Sequence, residues 1–216
     1  MSTEKTLQFF DSYAQKFDSL YNTKKNLFSS LINKFFRRSI YIRYQLAIEG
    51  CQPVEGRTVY DIGCGPGHYA ISLARMGAQF VLGIDFAKNM IEIAKERAKF
   101  YGVEGRCKFV VADFFTYEPE EKFDYSILTG FMDYMPEPQK VIDKVVEFTR
   151  RKAFFSFPVD GGLLAWQRKF RYQWKCPLYL YNYEQVKNLF KEFPEENVQI
   201  QKISREYFVT LILDRT

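Results

Sequence analysis

Only one of the 216 residues, His68, is a histidine, and the four cysteines, Cys51, Cys64, Cys107 and Cys176, form neither a CxxC pair nor a zinc-type spacing with it. A structural zinc site is thereby excluded, no metal is expected, and the thiols read as reduced groups of a cytoplasmic protein. No run of about 18 apolar residues occurs, so no membrane-spanning helix is expected, and the opening MSTEKTLQFF lacks the basic and long apolar regions of a secretion signal. Repeats and low-complexity tracts are also missing, which removes solenoid readings. Charge of one sign is in small excess: 31 Lys and Arg against 26 Asp and Glu leave +5, a mild bias toward anionic partners that does not single out nucleic acid.

What the chain has in plenty is aromatic surface, with 22 Phe, 15 Tyr and 2 Trp. Disordered chains are poor in these residues, and a chain of this length buries roughly 70% of its unfolded surface, so one ordinary domain is expected without staples. The surplus is uneven. Residues 1–50 hold 10 aromatics and residues 154–183 another 10, while residues 1–50 carry +4 and residues 158–183 carry +3.

RTVYDI at 57–62 and FVLGID at 80–85 are short β-branched and aromatic runs that predict strands. Between them Ala70, Ile71 and Ala74 recur at helical spacing, and Gly77 supplies a stop. Residues 87–101 repeat the pattern, with Met90, Ile93, Ala94, Arg97 and Ala98 ahead of Gly102. CKFVVAD then predicts a third strand, FDYSILTG at 123–130 a fourth, PQKVIDKVVEFTR a helix and KAFFSF a fifth strand. YEQVKNLFKEF predicts a last helix, and VQIQKISREYFVTLILDR two strands paired as an antiparallel hairpin that turns near Ser204.

Alternating strands and helices mean parallel pairing with helices on both faces. The fold class is therefore α/β: a three-layer αβα sandwich around a seven-stranded, mostly parallel sheet with one antiparallel C-terminal hairpin strand. An N-terminal helical cap carries an apolar stripe of Leu27, Leu31, Phe35, Ile40, Tyr44 and Ile48. Residues 1–216 read as a single domain: a helical lid at 1–50, a ligand-binding core at 51–157, a substrate-cover insertion at 158–183, and a C-terminal helix with two strands at 184–216. Long connections inside compact domains are uncommon and often functional.

Asp61-Ile62-Gly63-Cys64-Gly65-Pro66-Gly67 sits where the first parallel strand hands over to a helix. Glycines there let the backbone approach a ligand, and the helix that follows offers free N–H groups. Asp85 ends the second strand 18 residues after Gly67, where a carboxylate can accept both hydroxyls of a ribose or, alternatively, cap the next helix. Asp113, followed by Phe114, ends the third strand and suits an exocyclic amino group beside an aromatic ring, or an ordinary turn. Three consecutive strand ends each supply an acid.

VYDIGCGPGHYAISLARMGAQFVLGIDFAKNMIEIAKERAK closely resembles the nucleotide-binding half of class I, Rossmann-like S-adenosylmethionine-dependent methyltransferases, and the resemblance extends through VVADFF and FDYSILTGFMDYMPEPQKVIDKV. It covers about 100 residues. G-x-G-x-G, with His68 where the dinucleotide motif has its third glycine, favours S-adenosylmethionine over NAD. The resemblance implies that Gly63, Gly65 and Gly67 pass beneath the methionine part of the cofactor, while Asp61 holds its amino group. Asp85 is implied to bind the ribose, Phe86 and Met90 to line the adenine side, Asp113 and Phe114 to fix the adenine, and Thr129 to Phe131 to border the reacting end. FFDSYAQKFDSLY is similar to the leader of family members that act on small molecules, so Tyr13 is expected to close over the cofactor. Arg43 reads either as a partner of the cofactor carboxylate or as part of a solvated helix face. EFTRRKAFFSF departs from the Pro-Gly-Gly turn of many relatives before the fifth strand, which suggests a subfamily with its own lid.

A sulfonium methyl is already an activated electrophile, so such an enzyme mainly aligns a nucleophile and excludes water. Candidates for a base are His68, Asp133, Tyr134 and the tyrosines of the leader, and none is assigned as catalytic. LTGFMDYM stands where amino-methylating nucleic-acid enzymes carry N/D-P-P-Y/F, which argues against base-amino methylation, and nucleic acid is not the expected partner. Residues 158–183 mix Arg168, Lys169, Arg171 and Lys175 with Trp166, Phe170, Tyr172, Trp174, Tyr179 and Tyr181. A substrate cover, a single-stranded RNA contact and plain packing on the sheet are all open readings of that mixture. FSFPVDGGLLAW is loosely similar to methyltransferases of porphyrin carboxylates and of quinone rings, without choosing between them. The leading expectation is methyl transfer to a small-molecule acceptor, aromatic or amphipathic, by direct displacement, with no oligomeric state implied. The alternatives are an RNA or protein methyltransferase on the same core and a non-catalytic cofactor binder.

Overall fold

A computed structural model describes residues 30–161 and 178–214, with side chains from residue 38 onward. Seven strands, β1 Thr58–Ile62, β2 Phe80–Asp85, β3 Cys107–Val111, β4 Phe123–Leu128, β5 Thr149–Pro158, β6 Val198–Ile203 and β7 Glu206–Ile212, form one sheet in the order β3-β2-β1-β4-β5-β7-β6. Strands β1 to β5 pair in parallel. β7 pairs antiparallel with β6, as the hairpin reading required, and inserts between β6 and β5, running antiparallel to β5 as well. Its turn puts Ser204 at φ 50, in the left-handed region that an ordinary serine does not advertise.

Helices α1 Ser30–Gly50, α2 His68–Arg75 and α3 Lys88–Phe100 and helices α4 Pro138–Glu147 and α5 Tyr183–Leu189 make the two outer layers. Two-sided burial follows from the period of a strand. Val59 of β1 and Phe154 of β5 join the core that also holds Ala47, Ile71 and Ala94, from α1, α2 and α3. Their neighbours Tyr60, Ile62, Phe155 and Phe157 join the core with Val141, Val145 and Val186 from α4 and α5. Phe154, Phe155 and Phe157 are fully buried, and truncating any one of them to alanine costs roughly 3–5 kcal/mol.

The described part of the N-terminal stripe is rotated by one residue from the expectation. Ser39, Arg43 and Ala47 form the buried line, and Ile40, Tyr44 and Ile48 flank it half-buried. α1 lies across β5, β7 and β6, and its closest approach needs small residues: a Cβ on Gly50 would overlap the ring of Phe154. Arg43 at the centre of that line is neither solvated nor exposed. Its Nη1 donates to both carboxylate oxygens of Glu206, at 3.2 and 3.1 Å, and Ser39 donates to the carbonyl of Ile203 at 3.5 Å.

Two element ends also differ. α4 stops at Glu147, short of the expected Arg150, and β5 starts at Thr149, ahead of KAFFSF. The Thr149 hydroxyl lies 2.5 Å from the carbonyl of Val145 and 2.7 Å from the Ser126 hydroxyl, which ties the end of the helix to β4 and begins the new strand there. The last helix is shorter than YEQVKNLFKEF. Its start is fixed by a reciprocal cap in which Asn182 accepts from the Gln185 N–H and Gln185 accepts from the Asn182 N–H, both at 2.8 Å.

Candidate functional site

β1 lies between β2 and β4, the point where successive crossovers leave in opposite directions, and a crevice opens there at the carboxyl ends of the strands. The loop after β1 occupies that place. Gly63, Gly65 and Gly67 all have positive φ, at 67, 50 and 77. They differ in what surrounds them. A Cβ on Gly63 would come within 2.8 Å of Phe131, and one on Gly67 within 3.0 Å of Phe109, whereas one on Gly65 would meet nothing within 4 Å. Gly65 is therefore the position whose open side leaves room for another molecule.

Asp85 is held from two sides. Its Oδ2 accepts the Gly65 N–H and its Oδ1 the Ala87 N–H, each at 2.9 Å, so the expected cap of the following helix exists and the same carboxylate also fixes the glycine loop. The carboxylate is thereby fixed in orientation at the wall of the crevice. Asp113 is exposed, with Oδ1 accepting from Phe115 N–H at 2.8 Å. Phe114 beside it is buried and meets Phe131 edge to face at 5.5 Å.

Asp61 lies beneath the loop, 2% exposed, with Oδ2 accepting the Ala70 N–H at 3.2 Å. Burial, with the charge of Asp85 adding to it and the Ala70 N–H opposing, pushes its carboxyl up to about 7. A cation placed against the loop would reverse that.

A cavity with an empty volume of about 900 Å3, mouth included, opens over these groups. Gly63, Asp85, Phe86, Asp113 and Phe114 line it together with Ile84, Ala112, Phe115, Phe131, Tyr134, Met135, Pro136 and Tyr179. Five of the residues expected from the sequence thus meet on one wall. Others do not line it, Asp61, Gly65 and Gly67 among them. Met90 is buried against Ala87, with Ile93 beside it, because it faces inward from the first turn of α3. Thr129 is half-buried and off the wall, and Phe131, two residues on, takes the lining position. Tyr13 and the segment from Trp166 to Trp174 lie outside the described residues.

Of the candidate bases among the described residues, Tyr134 alone lines the cavity, and the leader tyrosines lie outside those residues. His68 is the first residue of α2, and its Nε2 lies 3.1 Å from Arg97 Nη1. Asp133 is 4% exposed on the 3-10 turn Met132–Tyr134. Arg43 approaches the site from behind: its guanidinium would lie 3.4 Å from a Cβ on Gly130, whose N–H donates to Ser156 Oγ at 2.8 Å. Glu206 and Ser156 escaped the sequence reading because their partners come from remote segments.

Burial raises the thiols of Cys51 and Cys64 well beyond the ordinary range and that of Cys107 to about 12, so none is poised as a nucleophile. Among the described residues no group of three or more His, Cys, Asp and Glu side chains could hold a metal, and no helix is long and apolar enough to cross a membrane.

Comparison with known proteins adds a family. Residues 53–162 match the family described as a methyltransferase domain. The chain is 37% identical over 98 residues to a ubiquinone biosynthesis O-methyltransferase of Neisseria meningitidis, covering 44% of this chain and 40% of that protein. It is 28% identical over 170 residues to the mitochondrial ubiquinone biosynthesis O-methyltransferase of Dictyostelium discoideum, covering 68% of this chain and 51% of the relative. The chain thus spans about half or less of the length of these curated relatives. Its structure is similar to that of magnesium protoporphyrin IX methyltransferase from Synechocystis PCC 6803 with bound SAH, at a TM-score of 0.77 and 16% identity over 97% of this chain and 98% of the other. That likeness speaks for the fold, a Rossmann-like seven-stranded sheet. With half of its length matched, from ahead of β1 through β5, the chain belongs to the methyltransferase domain family.

Proposed function

We propose that the chain is an S-adenosylmethionine-dependent methyltransferase that transfers a methyl group to a hydroxyl on a small, apolar ring. One observation supports this above others: a single cavity joins the glycine loop and two strand-end acids to an aromatic wall. The residues fit the cofactor. Gly65 leaves the space that its methionine part needs, and Asp85 offers a fixed carboxylate to the ribose hydroxyls. Asp113, beside the Phe114 ring, suits the adenine amino group, and Asp61 suits the cofactor ammonium. S-adenosylmethionine when bound supplies an activated methyl on sulfur.

The chain's own residues then have modest tasks. An acceptor hydroxyl would have to be held in line with that methyl, with a path for its proton to water. Apolar rings around the site keep bulk water from competing. Orientation, more than acid–base chemistry, sets the rate, which agrees with a wall on which Tyr134 is the one candidate base among the described residues. Relatives named for O-methylation in ubiquinone biosynthesis support an oxygen acceptor. We place the protein in the cytoplasm, since its described cysteines are free thiols, and read 158–183 as a substrate cover; of the lid expected over 1–50, α1 is instead a layer of the fold packed across β5, β7 and β6.

The test is incubation with methyl-labelled S-adenosylmethionine and separate pools of phenols, carboxylic acids, RNA and protein. Label in the phenol pool supports the reading. Label in RNA or protein moves the assignment to a macromolecular substrate, and binding of S-adenosylhomocysteine without transfer to any pool makes the chain a non-catalytic binder.

A further inference from the structure

The loop that leaves β3, residues 112–117, supplies Ala112, Asp113, Phe114 and Phe115 to the cavity wall and contains no helix or strand. Its inner end is tied to β2, because the Ala112 N–H donates to the Asp85 carbonyl at 3.0 Å. Asp113 then closes a turn on itself. Its carbonyl accepts the Thr116 and Tyr117 N–H groups, at 3.2 and 2.9 Å, and its Oδ1 accepts the Phe115 N–H at 2.8 Å. The Phe115 carbonyl is taken up from outside the loop, by Lys144 of α4, whose Nζ donates to it at 2.9 Å. The same ammonium lies over the Phe114 ring, 5.5 Å from its centre.

Lys144 reaches the loop by the geometry of its helix. Long side chains on an α-helix lean toward its N-terminus, and α4 starts at Pro138, just after the cavity-lining Pro136. Val141, Ile142 and Val145 fill the buried face of α4, which leaves Lys144 half-buried on its flank. A lysine in the last turn of a helix is favourable for the helix dipole alone. Here the side chain also joins α4 to the backbone and to a ring of the loop after β3.

We propose that Lys144 is a positioning residue for the cofactor: from α4 it clamps the loop after β3 in the form that presents Asp113 and Phe114 to the adenine. This rests on the methyltransferase reading above. Lys144 stands off the cavity wall, so it acts through the loop and not by touching the ligand. A loop without helix or sheet bonds is held by few contacts, and its affinity for a ligand falls by the fraction of time it spends outside the competent form. A charge-assisted bond to a carbonyl and a cation over a ring face both come from this one side chain, so removing it loosens backbone and ring together.

The experiment is calorimetric titration of wild type, Lys144→Met and Lys144→Arg with S-adenosylhomocysteine and with its analogue whose purine lacks the 6-amino group. Methionine keeps the apolar stem and removes the charge, and thermal unfolding shows that each variant is folded. Expected in Lys144→Met are about fivefold weaker S-adenosylhomocysteine binding and a preference for it over the analogue that shrinks about threefold, with both restored in Lys144→Arg. A role confined to fold stability would lower the melting temperature and leave both quantities alone. Unchanged S-adenosylhomocysteine affinity in folded Lys144→Met, or an equal loss for the two compounds, overturns the proposal while leaving the methyltransferase reading intact. Failure of the wild type to bind S-adenosylhomocysteine overturns both.

Discussion

Replacing Asp61 by asparagine should make the ligand-free protein more stable and less able to bind its cofactor. Asp61 is 2% exposed and its carboxyl is raised from 3.8 to about 7, chiefly by burial. The folded state therefore holds the proton more tightly than the unfolded chain, and stability falls as pH rises from 3.8 to about 7 and is flat above that. At ~1.4 kcal/mol per pH unit the full difference is roughly 4 kcal/mol, and relaxation around the charge brings a realistic figure to about 2–4 kcal/mol. Asparagine keeps an acceptor for the Ala70 N–H and removes the ionisation. In a chain of this size the gain at about pH 8 is on the order of 5–10 °C in melting temperature, and at about pH 5 it is less than half as large. The assay is thermal unfolding of both proteins across that range, repeated with S-adenosylhomocysteine. In the wild type the ligand's ammonium favours the ionised carboxylate, so affinity should rise with pH toward about 8. The asparagine variant should bind more weakly and lose that dependence. Equal melting temperatures for the two free proteins at both pH values would refute the reasoning.

Gly65→Ala carries a methyl into open space at φ 50, so unfolding should cost only about 1–2 kcal/mol of stability while calorimetry shows much weaker S-adenosylhomocysteine binding. Glu206→Ala leaves the Arg43 guanidinium without its carboxylate in a buried setting and should cost about 3–5 kcal/mol in urea unfolding, most of it recovered in the Arg43→Met/Glu206→Leu pair. Tyr60 is 1% exposed and its hydroxyl has no hydrogen-bond partner among the described residues. Tyr60→Phe should therefore be neutral or stabilise by up to about 1 kcal/mol, and a clear loss in the same assay would contradict that reading of the hydroxyl.

The parts of the fold that the sequence makes legible are those decided locally. FVLGID is a continuous apolar run closed by an acid, and it forms β2 from Phe80 to Asp85 as expected. The glycine loop and Asp85 are legible for the same reason, since a positive φ and a strand-end carboxylate are properties of a few neighbouring residues. What long-range contacts decide is hidden. Arg43 reads as surface on a helical wheel because Glu206 is 163 residues away. The end of α4 is set by Thr149 meeting Ser126 of another strand. Met90 shows the limit of a family pattern: an apolar first-turn residue suits either a ligand wall or a core, and here the inward turn of α3 makes it core.

The account stands most directly on whether the cavity lined by Gly63 and Asp85 takes an adenosyl cofactor. Calorimetric titration of the wild type and of Asp85→Ala with S-adenosylhomocysteine measures this, with circular dichroism showing that the variant is folded. Saturable binding at a single site in the wild type and its loss in the folded variant is the predicted result. Absence of binding in the wild type, or binding that Asp85→Ala leaves unchanged, would contradict it.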